Sequence, residues 1–316
     1  MSLLIVATTL VCSIFIRKLL NLLHVKIDLY DSIIISSTTV FICKICIPDF
    51  SPYYYLDSFV TQPWHNSTYV VMRIFGLLAV YYFFRIQKNY LHVSKFNVDY
   101  LFFTLSLIAV NFSKPNFIIG FAPIMLICLI YDFIKTKGKS FKNAFIFGVC
   151  VLIACSFLII QYTELFPSDG DSQMVLSLSN AINYFKTNIK YPLYFVLNYM
   201  FAIYVSFLVY KNKKRLDKYS KRVLIQTWMM QALSFIEWLF LIEIGYRSDD
   251  NNFIWGLQFF SYLLFVVCIC MLIKMKNEKH ITESEYTVSK CIYITHIIFG
   301  ICYFACLFFG YWPFSF

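Results

Sequence analysis

The feature that most constrains this chain is a succession of long apolar runs separated by short polar breaks. A helix needs about 20 apolar residues to cross the hydrocarbon core of a bilayer, where the backbone must satisfy its own hydrogen bonds. We therefore predict an all-α, polytopic integral membrane helical bundle of about 10 transmembrane helices, forming a single transmembrane domain over 1–316. The runs lie at 2–20, 31–48, 67–86, 98–113, 116–134, 143–162, 191–210, 222–245, 253–274 and 291–312.

The composition identifies lipid as the main solvent of the chain. Only 14% of the residues are charged and 60% are hydrophobic, whereas soluble domains carry about 25% charged residues. The net charge of +10 does not indicate a nucleic-acid partner, because the Lys and Arg residues cluster in the short breaks. The lipid bilayer is the expected partner.

The breaks alternate in charge along the chain. Since Lys and Arg are enriched in cytoplasmic loops, we expect the basic breaks to face the cytoplasm and both termini to lie outside. The basic breaks are 87–98, 135–142, 211–222 and 274–290. The acidic or mixed, aromatic breaks are 49–66, 163–190 and 246–252.

The outer loop 163–190 contains an amphipathic pattern after the turn PSDGD. Apolar residues recur there at spacings of three and four, which predicts a helix at about 173–189. It lies along the outer membrane surface or forms a lid on the spans, and the pattern does not separate the two. The residues are Met174, Leu178, Ile182, Phe185 and Ile189.

Ionisable residues at membrane depth are the first functional candidates. Burying one near the bilayer centre costs about 2.5–3.5 kcal/mol on insertion scales. Arg73 lies about two turns inside the outer end of its span, and Glu237 lies in a later span. The alternative role is structural, for example an ion pair between Arg73 and Glu237 inside the bundle.

The outer rim combines polar and aromatic side chains over 48–73 and 243–258. Aromatic faces, amides and carboxylates suit sugars, and Arg or Lys suits a lipid-linked phosphate, although part of the aromatic content fits an interfacial belt. Lys114 lies in SKPN, which predicts a tight outer hairpin. The candidate catalytic residues are Asp57, His65, Arg73 and Arg247. The candidate substrate-binding residues are Trp64, Asn66, Lys114, Glu243, Asn252 and Trp255.

Three stretches together resemble a known set of sequence elements. QPWHNSTYVVMRIFGLLA, from Gln62, resembles PWHNPT-x-x-x-(R/K)-PF-x-LL. SLIAVNFSKPNFIIGFAPIMLI, from Ser106, resembles (A/S)KPSF-x-x-x-FLPA. EIGYRSDDNNFIWGLQFFSYLLFVV, from Glu243, resembles E-x-G-x-R-x-x-x-GNF-x-W. The set is typical of bacterial polytopic proteins of surface-polysaccharide gene clusters, which look like GT-C-type glycosyltransferases or O-antigen and capsule polymerases.

The resemblance implies a glycosyl-transferring enzyme of the bacterial cytoplasmic membrane. Its substrate would be a polyprenyl-(pyro)phosphate-linked sugar, and its partners would be other polysaccharide-assembly proteins. The favoured form is a repeat-unit polymerase in which Arg73 and Arg247 hold phosphates. In a GT-C-like form, Asp57 would be the base on the acceptor hydroxyl. We expect no cofactor, with a divalent metal left open. A lipid-linked glycan transporter or flippase and a non-catalytic or truncated assembly partner remain alternatives.

Overall fold

The computed structural model describes residues 2–45, 67–89, 97–165, 173–188, 193–245 and 253–309. Within these ranges the chain forms eleven helices and two short strands. The first six helices are α1 (Ser2–Leu22), α2 (Leu29–Thr39), α3 (Ser67–Asn89), α4 (Val98–Ser113), α5 (Asn116–Lys135) and α6 (Phe141–Leu165). The remaining elements are β1 (Gln173–Leu176), α7 (Leu178–Asn188), α8 (Leu193–Lys211), α9 (Lys218–Phe240), β2 (Leu241–Ile244), α10 (Ile254–Asn277) and α11 (Glu283–Phe308).

The helices make this a multi-pass membrane protein, as predicted from the apolar runs. In the described ranges, seven helices are long and apolar enough to cross a bilayer, namely α1, α3, α5, α6, α9, α10 and α11. Two shorter apolar helices, α4 and most of α8, lie among them. The count of ten crossings and the outside location of both termini remain predictions.

Helix α10 is the centre of the bundle. It is apolar on nearly every face, which is typical of a helix that contacts other helices all round, and it packs against α1, α3, α5, α8, α9 and α11. Its phenylalanines interlock with neighbouring rings, as where Phe260 stacks on Phe117 of α5 with ring centroids 5.4 Å apart. Gly256 allows α10 to approach the start of α5, because an added Cβ would lie 3.1 Å from the carbonyl oxygen of Asn116.

Four ion pairs between described helices lie at one end of the bundle, which we call the basic end. Each pair joins the last turn of one helix to the start of another. The basic breaks that follow α3, α5, α8 and α10 therefore lie at the same end of the bundle. Helix α1 therefore begins, and α11 finishes, at the opposite end. The pairs are Arg85–Asp99, Arg222–Asp132, Lys211–Glu285 and Lys274–Asp217.

Helix α2 is shorter than the predicted span 31–48. It ends at Thr39, and 40–45 is non-helical although Ile42, Cys43 and Lys44 are buried. The run Ser36 to Thr39 explains the end, because each hydroxyl bonds a backbone carbonyl three or four residues earlier and so competes with helix continuation. Non-helical backbone at membrane depth needs partners inside the protein, and a ring nitrogen of His296 lies 2.7 Å from the carbonyl oxygen of Cys43.

The strands are a second difference from the all-helical prediction. Helix α9 was predicted to reach 245, but 241–244 form β2, which pairs antiparallel with β1. The amphipathic helix predicted at about 173–189 correspondingly begins at Leu178, because the residues before it form β1. The isoleucine-rich β2 suits a strand, and Gly245 follows it with a φ of 100°, a conformation that glycine adopts readily.

The positive-inside pattern gives a testable orientation. Alkaline phosphatase folds only outside the cytoplasm, so fusions after Gly138 and after Lys214, both in basic breaks, should be inactive. A fusion after Phe309 should be active, because α11 finishes at the opposite end. Enzyme activity normalised to fusion abundance is the measurement. Activity at Gly138 and none at Phe309 would invert the orientation.

Candidate functional site

The side chain of Arg73 is the most unusual feature of the interior. It lies in the second turn of α3 and is only 1% exposed. Its guanidinium lies between two tyrosine rings, 4.8 Å from the centroid of Tyr69 and 4.4 Å from that of Tyr262. Nη2 donates a hydrogen bond of 3.2 Å to the Tyr69 hydroxyl, which the helical spacing of four residues allows. Nε has no hydrogen-bond partner among the described residues.

The predicted alternative of an ion pair between Arg73 and Glu237 is not found. In the part of the chain that the structure describes, neither residue forms a salt bridge. Desolvating a charged group costs several kcal/mol, and cation–π contact with desolvated rings contributes about 2 kcal/mol. The two rings therefore offset only part of the cost, and an anion at the Nε edge would complete the site.

A column of rings and cations extends from Arg73 toward the α4–α5 turn. The ring of Tyr69 lies 5.2 Å from that of Trp255, the second residue of α10. Nζ of Lys114 lies 5.1 Å from the centroid of the Trp255 ring. Three residues singled out from the sequence, Arg73, Lys114 and Trp255, are thus joined through Tyr69. We call these four residues and Tyr262 the aromatic–cation column.

Local geometry explains why α4, α5 and α10 meet at this column. Helix α4 ends at Ser113, and Lys114 has an extended backbone (φ −156°, ψ 103°), as expected for a residue before Pro115. The chain then reverses directly into α5. The close packing of Gly256 on Asn116 holds the start of α5 against the start of α10.

The last residue of helix α2 contacts the column through the hydroxyl of Tyr262. The Tyr262 hydroxyl lies 3.3 Å from Oγ1 of Thr39, the last residue of α2, and this oxygen lies 3.8 Å from Sγ of Cys12 in α1. A buried tyrosine hydroxyl needs a polar partner, and Thr39 supplies it where α2 stops. The end of α2 therefore holds the Tyr262 ring that contacts the guanidinium of Arg73.

The other predicted site residues are placed less fully. Glu243 lies on β2 with Met174 of β1 as its register partner, at the end of the bundle where α9 finishes. The remaining six predicted residues lie outside the described ranges, and their roles stay predictions. They are Asp57, Trp64, His65, Asn66, Arg247 and Asn252.

Two residues of the column were missed from the sequence. Tyr69 carries a usable signal, because a tyrosine four residues before a membrane-depth arginine lies on the same helix face. Tyr262 carries none, since it lies in the uniformly apolar run of α10 and reaches Arg73 only through packing.

The chemistry of the column suits an anion next to apolar or sugar-like surface. The two cations attract negative charge, and the three rings offer apolar faces beside them. Comparison of the chain with protein families, with curated proteins and with solved structures finds no match. We therefore infer function from this column and its position in the membrane.

Stability measurements can separate a structural arginine from a functional one. Replacing Arg73 by Met removes a buried charge that lacks a carboxylate partner, so we expect an unchanged or higher thermal unfolding temperature in detergent. Asp132→Ala is the contrasting variant, because it strands Arg222, which bonds Asp132 at 2.9 and 2.5 Å. Loss of charged hydrogen bonds of this kind costs about 1.5–3 kcal/mol. Equal destabilisation by both variants would mean that Arg73 has a structural role.

Proposed function

We propose that this protein is an enzyme of the bacterial cytoplasmic membrane that transfers glycosyl units from polyprenyl-(pyro)phosphate-linked sugars during surface-polysaccharide assembly. Its favoured form is a repeat-unit polymerase of an O-antigen or capsule. The observation that carries the proposal is the buried guanidinium of Arg73, which contacts two aromatic rings and has, among the described residues, neither a carboxylate partner nor a hydrogen-bond acceptor for Nε.

A phosphate is the anion that fits this arrangement best. The planar guanidinium presents parallel N–H donors that match phosphate oxygens, and lysine adds a point charge. Arg73 lies six residues into α3, about 9 Å below its start at 1.5 Å per residue. That depth is reached by the phosphate of a lipid whose chain lies in the bilayer, and less easily by a soluble anion.

The aromatic part of the column suits the sugar. The rings of Tyr69 and Trp255 lie between the two cations, on the side of Arg73 that leads toward the outer rim. Sugar C–H faces pack on such rings, so a sugar linked to a phosphate at Arg73 would extend along them. The predicted rim residues Trp64, His65 and Asn252 would then contact its hydroxyls.

The proposed transfer step also uses two residues outside the described ranges, Asp57 and Arg247. The oxygen of an acceptor hydroxyl attacks the anomeric carbon of the lipid-linked donor glycan, and the bond from that carbon to the phosphate oxygen breaks. Polyprenyl pyrophosphate leaves with the electron pair, and Arg73 and Arg247 stabilise its charge. The hydroxyl proton passes to a carboxylate, for which Asp57 is the predicted base.

The sequence resemblance and the geometry support each other. All five residues of the aromatic–cation column lie in the three resembling stretches: Tyr69 and Arg73 in the first, Lys114 in the second, and Trp255 and Tyr262 in the third. The first and third stretches are far apart in the chain. A common site for one substrate explains why distant stretches would share the pattern.

A lipid-linked glycan transporter is the second candidate. The observation that favours it is the end of α2 at Thr39, after which the non-helical residues 42–45 are buried within the bundle. Transporters often build midplane binding sites from interrupted helices of this kind. In that case the column would hold the same lipid phosphate, and no glycosidic bond would form.

Complementation tests the role of Arg73. In a strain lacking the gene, the polymerase proposal predicts surface glycan of single repeats, and Arg73→Ala should fail to restore long chains. Loss of one donor to a developing charge costs about 10²–10³ in rate. Arg85→Ala is the matched control, because it removes the same side chain at the basic end, where Arg85 pairs with Asp99, and should restore normal lengths. Glycan size on gels is the measurement.

The outcomes separate the remaining alternatives. Normal chains with Arg73→Ala at normal abundance would contradict the proposed site and favour a non-catalytic assembly partner. Purified protein in proteoliposomes with lipid-linked repeat units distinguishes the other two. A polymerase lengthens the lipid-linked glycan by whole repeats in mass spectra, whereas a transporter changes its sidedness and leaves its mass unaltered.

A further inference from the structure

Two turns at the basic end concentrate exposed positive charge. One joins α5 to α6 and the other joins α8 to α9, and each continues into the first residues of the next helix. Six of their cationic side chains are exposed and have no acidic partner among the described residues. We call these six residues the basic surface: Lys137, Lys139, Lys142, Lys214, Arg215 and Lys218.

An ion pair holds the two turns side by side. Arg222, in the second turn of α9, donates hydrogen bonds of 2.9 and 2.5 Å to the two carboxylate oxygens of Asp132, in the last turn of α5. Because Asp132 lies just before one turn and Arg222 just after the other, the two turns leave the bundle next to each other. The α5–α6 turn has a defined shape, since the backbone N–H of Gly138 donates to the carbonyl oxygen of Phe133 at 2.9 Å.

The basic surface has no acid of its own to neutralise it. Across 133–142 and 211–222 the sequence contains one acidic residue, Asp217. Its carboxylate accepts a 2.8 Å hydrogen bond from the backbone N–H of Ser220 and lies 3.3 Å from Nζ of Lys274. Asp217 therefore caps α9 and pairs with α10, and it leaves the charge of the surface uncompensated.

Other lysines at the basic end are paired with acids. Nζ of Lys211 lies 2.6 Å from a carboxylate oxygen of Glu285, and Lys276 pairs with Glu283. The positive-inside bias depends on Lys and Arg and little on Asp and Glu. Orientation in the membrane therefore does not explain why the cations lack acidic partners on one side of this end and have them on the other.

Exposed apolar side chains flank the α5–α6 turn. Phe133 and Ile134 in the last turn of α5 are 41% and 70% exposed, and Phe141 at the start of α6 is 61% exposed. The rings of Phe133 and Phe141 meet edge to face, with centroids 6.1 Å apart. In a membrane protein an exposed apolar patch of this kind contacts lipid chains. The cations that follow directly in the chain then lie at the level of the lipid headgroups.

We propose that the basic surface binds the headgroup of an anionic phospholipid, whose acyl chains pack against Phe133, Ile134 and Phe141. Phosphate oxygens accept hydrogen bonds from lysine ammonium groups, and a guanidinium such as that of Arg215 can donate to two of them at once. The surface lies at the basic end, away from the aromatic–cation column. The proposal therefore does not depend on the glycosyl-transfer proposal.

The competing explanation is that these cations only set the orientation of the chain during membrane insertion. That role ends once the helices are in place. It predicts no preference of the folded protein for one class of lipid over another. A lipid preference of the purified protein therefore separates the two explanations.

Thermal unfolding of the purified full-length protein in detergent tests the proposal. Phosphatidylglycerol or phosphatidylcholine with the same acyl chains is added, because a ligand that binds only the folded state stabilises it. Phosphatidylglycerol should raise the unfolding temperature by several degrees more than phosphatidylcholine does. This difference should disappear in about 1 M salt, where the screening length falls to about 3 Å. Glycerol 3-phosphate, which has the phosphate without the acyl chains, should produce no rise.

Two double variants localise the effect. Lys137→Gln with Lys139→Gln should lose most of the difference between the two lipids. Lys279→Gln with Lys290→Gln is the matched control and should keep it, because it removes the same charge at the basic end but outside the basic surface. Lys279 also shares the left-handed backbone of Lys137, with φ of 54° and 51° respectively.

Three results would overturn the proposal. Equal stabilisation of the wild-type protein by both lipids would favour an acidic protein as the partner of this surface. An equal rise with glycerol 3-phosphate would assign the surface to a soluble anion. An undiminished lipid difference in the Lys137→Gln, Lys139→Gln variant would place the lipid elsewhere. The first two comparisons use the wild-type protein and do not depend on the folding of a variant.

Discussion

The absence of water from the hydrocarbon core is the constraint on which the rest of this structure depends. It forces the backbone into helices and favours the pairing of charged side chains near helix ends, as between Arg222 and Asp132. It also makes every exception informative. Arg73 keeps its charge in the interior with two tyrosine faces in place of a carboxylate, and α2 breaks inside the bundle only where other helices satisfy its backbone.

Helix α10 contacts two separate groups of polar side chains. It is packed on nearly every side, so residues one position apart face different neighbours. Tyr262 contacts Arg73 and Thr39 on the side of α1, α2 and α3, whereas Ser261 contacts Gln231 and Tyr199 on the side of α8 and α9. A helix turns about 100° per residue, so α10 separates the aromatic–cation column from the polar contact with α8 and α9.

Much of the fold could be predicted from composition and spacing, because apolar runs of membrane length leave few other structures. Where the observed helix ends differ from the predicted ones, the causes are local and are not visible in the average hydropathy of a run. The hydroxyls from Ser36 to Thr39 end α2 by bonding its own carbonyls, although the run 31–48 around them is apolar enough on average to resemble a span. The isoleucines of β2 favour a strand, but they continue the apolar run of α9, so pairing with β1 was needed to show where the helix ends.

By itself, the sequence determined that the chain is embedded in lipid, that its basic breaks share one end and that Arg73 is costly to bury. These conclusions follow from the free energy of transferring single residues out of water. Only the tertiary structure decided what surrounds Arg73. Tyr262 meets Arg73, and Lys114 and Trp255 join the column, only through packing between separate helices, whereas Tyr69 shares α3 with Arg73. Contacts over such separations depend on helix rotation and depth, which apolar runs of similar composition leave undetermined.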